Sequence, residues 1–321
     1  MIQHLQIKPV PLVQVNFSDH TFRLTPFADD QPPSGLRDSI SKIGLLHPPI
    51  VREIYTGSFQ IISGRKRLQV LAALPAAENC DCLVLAQDSS ELYAYRILFE
   101  ERLFARPLNA IEQAMFFEKI LPFIPITQAA EEFLPRLSLR PSPFHIEKLL
   151  TLLDLEEPLQ NSMHRGRLHE KTGLALTRLP FKDRWALFEI IEQLQLSVSN
   201  QQKLVSICRE LAVRCKTAIA EILASEAVNA ILNQPQTNIP QKSGHLMTWL
   251  TEQRFPRLTE AERRFHEFAA DLHLPKGARL THTPAFEKNE LTLSLTFKNE
   301  SEFLRIWRKL QTDLENSYQS Q

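Results

Sequence analysis

The chain has 321 residues, 43% hydrophobic and 23% charged, which is too long for one ordinary core and too apolar for wholesale disorder, so two or three folded domains are expected. Lysine plus arginine and aspartate plus glutamate each number 37, giving a formal net charge of zero. Any contact with nucleic acid therefore has to come from local geometry and not from bulk charge. No stretch approaches the ~20 apolar residues of a membrane span, and Met1 to His4 do not open a signal peptide, so a cytoplasmic protein without a membrane partner is expected.

In chain order, Ser34 is placed to cap a helix carrying Leu36, Ile40 and Ile43 on one face, and Gly44 to end it. Pro49 to Arg52 reads as a strand, Thr56-Gly57 as a turn and Ser58 to Ile62 as the partner strand. A turn at Ser63-Gly64 leads into a helix marked by Leu68, Val70, Leu71 and Leu74, and Cys82 to Leu85 reads as another strand. Short strands and helices in this order predict a small α+β domain over residues 1–108.

From Ser89 onward the pattern is helical. Asn109 with Glu112 predicts a capping box, followed by an apolar stripe of Ile111, Ala114, Met115 and Ile120. Thr127 is the expected cap of the next helix. Beyond Arg140-Pro141, Ser142 stands at an N-cap, Pro143 at the first helical position, and Ile146, Leu149, Leu150 and Leu153 follow at helical spacing. This pair is a helix-turn-helix candidate inside an all-α middle domain, residues 109–232.

The polar, proline-punctuated residues 233–244 predict a linker. In 245–321, Thr259 and Glu262 suggest a second capping box. Phe265, Phe268, Ala269 and Leu272 share a face, Glu290 to Phe297 alternates as a half-buried strand, and Phe303, Ile306, Trp307, Leu310 and Leu314 form a last amphipathic helix. So small a unit buries little surface alone, and a homodimer is the expected remedy.

Among groups that carry chemistry, Ser63-Gly64-Arg65-Lys66-Arg67 is the most informative. Three cations in the first turn of a helix oppose its dipole. They are explained if an anion sits there, approached by the Gly64 backbone, the free first-turn amides and the arginine forks. The alternative is that all three are solvated and pair with acids such as Glu53 or Glu78. Cys80, Cys82, Cys208 and Cys215 lack a completing His/Cys pair, lone histidines lack ligand spacing, and no nucleophile motif is present, so neither a metal site nor catalytic residues are assigned.

The run Leu36-x3-Ile40-x3-Gly44-Leu45-Leu46-x-Pro48, then Ile61 to Leu68, Glu101, Leu108 to Ala114, the helix pair, Leu149 to Leu155 and Gly166-Arg167-Leu168, resembles the ParB family in order and spacing. The resemblance implies a mainly helical multi-domain α+β protein. Its parts would be a ParB/sulfiredoxin-like N-terminal domain, a helix-turn-helix middle and a small dimerisation domain. It further implies nucleoid-associated binding of double-stranded DNA in chromosome or plasmid partitioning, a ParA-like ATPase as partner, and a CTP pocket at Gly64, Arg65, Lys66, Arg67, Glu101 and Arg102. Two departures bear on the chemistry. The family's Gly-Glu-Arg-Arg turn reads Gly64-Arg65-Lys66-Arg67 here. Its Glu-Asn-x-x-Arg segment reads Glu101-Arg102-Leu103-Phe104-Ala105, with Arg106 one place later. A guanidinium offers no acceptor to magnesium, so the changes argue for anion binding with reduced magnesium-dependent hydrolysis, at most a weak CTPase.

Arg136, Arg140, Ser142, His145 and Lys148 are the residues assigned to DNA contact, with Glu147 an acid among them. Two other readings stay open: an atypical CTPase or phosphotransferase on the same scaffold, and an interaction adaptor that binds no DNA.

Overall fold

The computed structural model describes residues 5–26, 31–55, 57–272, 274, 277–283, 286, 288, 290–301, 303–305, 307, 308 and 311. The N-terminal part is a five-stranded mixed sheet of β1 (Gln6–Pro11), β2 (Val15–Asn16), β3 (Ile50–Tyr55), β4 (Ser58–Ser63) and β5 (Asn79–Leu85), in the order β1-β5-β3-β4-β2. The outer β1 pairs antiparallel with β5, and the short β2 runs parallel to β4. Alternation along the strands sorts the core into two layers. Val51, Ile61, Cys80, Cys82 and Val84 face one side, where Val10, Leu12 and Leu68 close a small core. Ile50, Ile62 and Leu85 face the other and join the main core.

Helix α1 (Ser34–Ile43) ends at Gly44, whose φ of 75° and ψ of −166° form a positive-φ conformation that favours glycine. Helix α2 (Arg65–Ala72) follows β4 directly, and α3 (Glu91–Ala105), capped by the Ser90 hydroxyl, crosses the second face of the sheet. Phe99 of α3 meets Phe116 and Phe133 at ring-centroid distances of 4.7 and 5.0 Å. The sheet and the helical middle therefore share one continuous core.

The middle comprises α4 (Ala110–Ile120), α5 (Ile126–Phe133), α6 (Pro143–Leu150), α7 (Glu157–His164), α8 (Glu170–Leu176), α9 (Phe181–Gln193), α10 (Val198–Cys215), α11 (Ile219–Leu223) and α12 (Glu226–Leu232). The capping box of α4 is present in full: Glu112 N donates to Asn109 Oδ1 at 3.0 Å and Asn109 N to Glu112 Oε2 at 3.1 Å.

Three helix starts differ from the expected ones. Helix α1 begins after Pro33 and α5 after Pro125, so Ser34 and Thr127 lie inside their helices. Helix α14 (Pro256–Asp271) starts at Pro256, and Thr259 donates its hydroxyl to the Phe255 carbonyl instead of capping. Pro256 stands at the first helical position, where its fixed φ and missing N–H suit the helix, whereas Pro33 and Pro125 are extended residues at the N-cap, so each helix opens ahead of the expected hydroxyl. Likewise, residues 239–244 of the expected linker are the first turns of α13 (Ile239–Arg254), opened by an Asn238/Gln241 capping box. The Lys242 ammonium donates to the Leu232 carbonyl at 2.6 Å, and Leu246 and Leu250 enter the main core.

Beyond α14 lies the hairpin of β6 (Ala278–His282) and β7 (Leu291–Leu295), and residues 300, 301, 303–305, 307, 308 and 311 are helical. Ile306, Leu310 and Leu314 fall outside the described residues. No helix among the described residues is long and apolar enough to cross a membrane.

Candidate functional site

A cleft of about 390 Å³ opens at the β4-to-α2 turn, between the sheet, α3 and the end of α7. All six residues assigned to the anion pocket line it: Gly64, Arg65, Lys66, Arg67, Glu101 and Arg102. Arg23, Arg106 and His164 line it too, so five arginines and a lysine surround a single lining carboxylate, Glu101. In a chain of zero net charge this is a concentrated positive field, which a partly enclosed cleft focuses. The N-terminus of α2 adds to it, because the first-turn amides have no acceptor within the helix.

Gly64 makes the approach possible. Its φ is 87°, and a Cβ placed on it would stand 2.9 Å from Pro49 Cβ and 3.1 Å from Pro49 Cα. Only glycine fits this turn without strain.

The two arginine forks are already engaged. Arg65 donates to the Phe17 carbonyl at 2.5 Å and also to the Asp19 carbonyl. Arg67 donates to the His47 carbonyl at 2.6 Å and pairs with Glu101 at 3.1 Å. They therefore hold the cleft's walls: Arg65 fastens the segment before α1 and Arg67 the loop after it. Arg102 differs, for its Nε is buried without a hydrogen-bond partner, and a bound anion would relieve that cost.

Behind Arg65 lies a polar chain. The Gln60 amide donates to Asp19 Oδ2 at 2.5 Å, Arg52 donates to Gln60 Oε1 at 2.6 Å, and Arg52 also pairs with Glu91 at 2.6 Å. Burial works against ionising Asp19, but hydrogen bonds from Thr21 and Gln60 and the Arg65 charge outweigh it and hold its carboxyl below the usual range. Burial, with the Glu91 and Asp19 charges, pushes the Tyr95 hydroxyl up to about 12; it donates to the Thr21 carbonyl at 3.0 Å. The segment bearing Phe22, Arg23 and Thr25, which covers one side of the cleft, is thus held at several points.

The residues present fit phosphate, not magnesium. The hard cation needs several oxygen ligands, and the one lining carboxylate is paired with Arg67. Among the described residues no group of three or more His, Cys, Asp or Glu could hold a metal ion.

The helix pair α5 and α6 is joined by residues 134–142, which include a 3-10 turn at Pro135–Leu137. This connection is longer than the ~3–4-residue turn usual in a helix-turn-helix. Ser142 is the N-cap residue of α6, although its hydroxyl makes no cap bond, and Pro143 is the first helical residue. Arg136 is paired with Glu100 of α3 at 2.6 Å, both more than half exposed, and such a pair contributes little and exchanges readily. Arg140 is exposed, while Ser142, His145 and Lys148 are half-buried. Ile146 and Leu149 face the core; at 100° per residue the opposite side carries Phe144 and Thr151, with Lys148 and Glu147 on its two flanks. Phe144 and Thr151, both exposed, were absent from the sequence assignment, although the helical phase of the buried pair alone points to them.

Residues 106–210 match the family model of the ParB HTH domain. The chain is 28% identical over 183 residues to stage 0 sporulation protein J of Bacillus subtilis, covering 57% of this chain and 61% of that protein. It is 24% identical over 204 residues to the nucleoid occlusion protein of Bacillus cereus, covering 63% and 67%. The matched region thus spans about three-fifths of the length of the B. subtilis relative. The chromosome-partitioning protein ParB of Caulobacter crescentus, C-terminally truncated and complexed to the centromeric parS site, shares 21% identity, with 62% of this chain and 98% of that chain covered and a TM-score of 0.33. The same protein complexed with CTP-gamma-S shares 20%, with 58% and 98% covered and a TM-score of 0.23. Residues 106–210 thus carry the helix-turn-helix domain of the ParB family, and over more than half its length the chain is similar to these two Bacillus proteins.

Proposed function

We propose that this chain is a DNA-binding protein of chromosome or plasmid partitioning, or of related DNA organisation. It grips duplex DNA through α5 and α6 and holds a nucleotide such as CTP by its phosphates in the cleft at Gly64 to Arg67. The observation that carries the DNA part is the helix-turn-helix match over residues 106–210, with a proline-started α6 whose outward face is open. Arg140, Ser142, His145 and Lys148 lie at the start or along one side of that helix, where side chains reach phosphates and base edges. Arg136 joins them by exchanging Glu100 for a phosphate.

The nucleotide part is supported by the cationic lining and by the unpartnered Arg102 Nε. Arg102 takes the place a magnesium ion would hold beside the phosphates and neutralises them directly. When bound, the nucleotide supplies a triphosphate; the cleft's residues bind and screen it, and among the described residues no group of three or more His, Cys, Asp or Glu could hold a metal ion for its hydrolysis. Titration calorimetry with CTP tests this. Binding that is indifferent to magnesium and weakened about tenfold or more by Arg102→Ala is expected, on the scale of a lost charge-assisted contact. Rapid magnesium-dependent turnover would overturn it.

The chain works as a homodimer through residues 245–321. No residue of α14 is buried, and Phe268, Leu272, Leu291, Leu293 and Trp307 stand 45–50% exposed. A second copy covers these apolar faces best, since both copies carry the same exposed stripe. A ParA-like ATPase is the partner this role calls for. DNA recovered by crosslinking from cells that contain the protein tests the role as a whole. Enrichment at one sharp locus is expected, and a profile equal to that of cells lacking the protein would refute it.

A further inference from the structure

Resting on the DNA-binding reading of α6, we propose that Phe144 is its base-reading residue and that it contacts the 5-methyl group of a thymine in the major groove. Phe144 is the second residue of α6 and stands 69% exposed, whereas the apolar residues that seat the helix, Ile146 and Leu149, are buried. A lone exposed aromatic ring on a surface needs no explanation in general. Its position supplies one here. Residues near the N-terminus of the second helix are those that approach base edges when such a motif lies in the groove.

Its neighbours on the outward face agree with the assignment. Lys148 is one turn further along, and Thr151 nearly two turns. The Thr151 hydroxyl donates to the Lys148 carbonyl at 2.8 Å, so the side chain's polar group is already engaged and its methyl group remains for contact. The face that meets the groove therefore combines an aromatic ring and a methyl group, with the Lys148 ammonium on one flank and the exposed Glu147 carboxylate on the other. Carbon surface of this kind cannot read the hydrogen-bonding edges of guanine or cytosine. The one apolar feature that a base pair shows in the major groove is the thymine methyl, and phenylalanine is among the side chains that pack on it. Lys148 supplies a phosphate or a guanine contact beside it.

The test starts from duplexes selected out of a random library by the full chain. Affinity is then measured for one selected duplex and for versions in which each thymine in turn is replaced by deoxyuridine, which lacks only the methyl group. Wild type, Phe144→Ala, Phe144→Leu and Lys148→Ala are compared. The expected result is one position, or a symmetry-related pair, where losing the methyl weakens wild-type binding by about fourfold, the fold-change for removing one methyl from an apolar contact. Phe144→Ala binds both versions equally at that position, and Phe144→Leu keeps part of the preference. Lys148→Ala weakens every duplex and keeps the methyl preference. A wild type indifferent to every replacement overturns the proposal, and so does a Phe144→Ala protein that retains the wild-type pattern. Failure to select any duplex overturns the DNA-binding reading itself, and an unaltered affinity for non-specific duplex shows that Phe144→Ala is still folded.

Discussion

Gly64→Ala is the substitution that the cleft's geometry constrains most tightly. The left-handed conformation, φ 87° and ψ 17°, costs an alanine about 1–2 kcal/mol. The new methyl would stand 2.9 Å from the Cβ and 3.1 Å from the Cα of Pro49. Pro49 is buried and its ring cannot rotate away, so relief requires a backbone shift, and overpacking of this kind costs about 1–3 kcal/mol. Together these give about 2–5 kcal/mol, carried by the junction of β4 and α2. Hydrogen–deuterium exchange of peptides covering residues 58–72 in the full chain is the assay. At the low end, amide exchange there accelerates roughly 30-fold. Gly35→Ala is the control, because a methyl at Gly35 meets nothing within 4 Å; in the helix it is expected to stabilise by about 0.5–1 kcal/mol. If Gly64→Ala changed exchange no more than the control does, the account of this turn would be wrong.

Asp19 has its pKa lowered in the folded chain, so its contribution is fully present above the unfolded value of about 3.9 and is lost as the pH falls through the lower folded value. The stability gap between wild type and Asp19→Asn, followed by thermal unfolding, should be widest near neutrality and close as the pH drops below about 4; a gap of constant size would contradict the network. The thiols offer a further check. Cys215 is exposed while Cys80, Cys82 and Cys208 are buried, and burial pushes the Cys208 thiol up to about 12. A thiol reagent on the native chain should react rapidly with Cys215 alone and with the others only on unfolding. Rapid reaction surviving in Cys215→Ser would show that the core opens.

Features set by adjacent residues were legible in the sequence. The Asn109–Glu112 box, the Gly44 terminus and the Gly64 turn each depend on a few consecutive side chains. The mixed sheet was only half legible, because Pro9 and Pro11 disguise β1. An edge strand tolerates prolines, since an N–H on its outer side has no ladder partner. Helix starts shifted where Pro33, Pro125 or Pro256 stood ahead of the expected hydroxyl cap.

The cleft was legible as a cluster of charge but not as a wiring of partners. Arg65 and Arg67 read as free forks because their acceptors, the carbonyls of Phe17, Asp19 and His47, come from segments far away in the chain. Arg23 and His164 reach the cleft from segments far apart in the chain, which no local pattern reports. On α6, by contrast, the buried Ile146 and Leu149 fix the outward face by phase, and the sequence already contained what was needed to find Phe144.

The central claim is that α5 and α6 bind duplex DNA, and fluorescence anisotropy of a labelled duplex titrated with the full chain at 50 and 200 mM salt tests it most directly. With six or more phosphate contacts, affinity should fall by a factor of about 10³ or more between the two conditions. Lys148→Ala should weaken binding at low salt and flatten the logarithmic salt slope by about one unit for each copy bound to the duplex. No binding to any duplex at 50 mM salt, or binding indifferent to salt and to Lys148, would contradict the account.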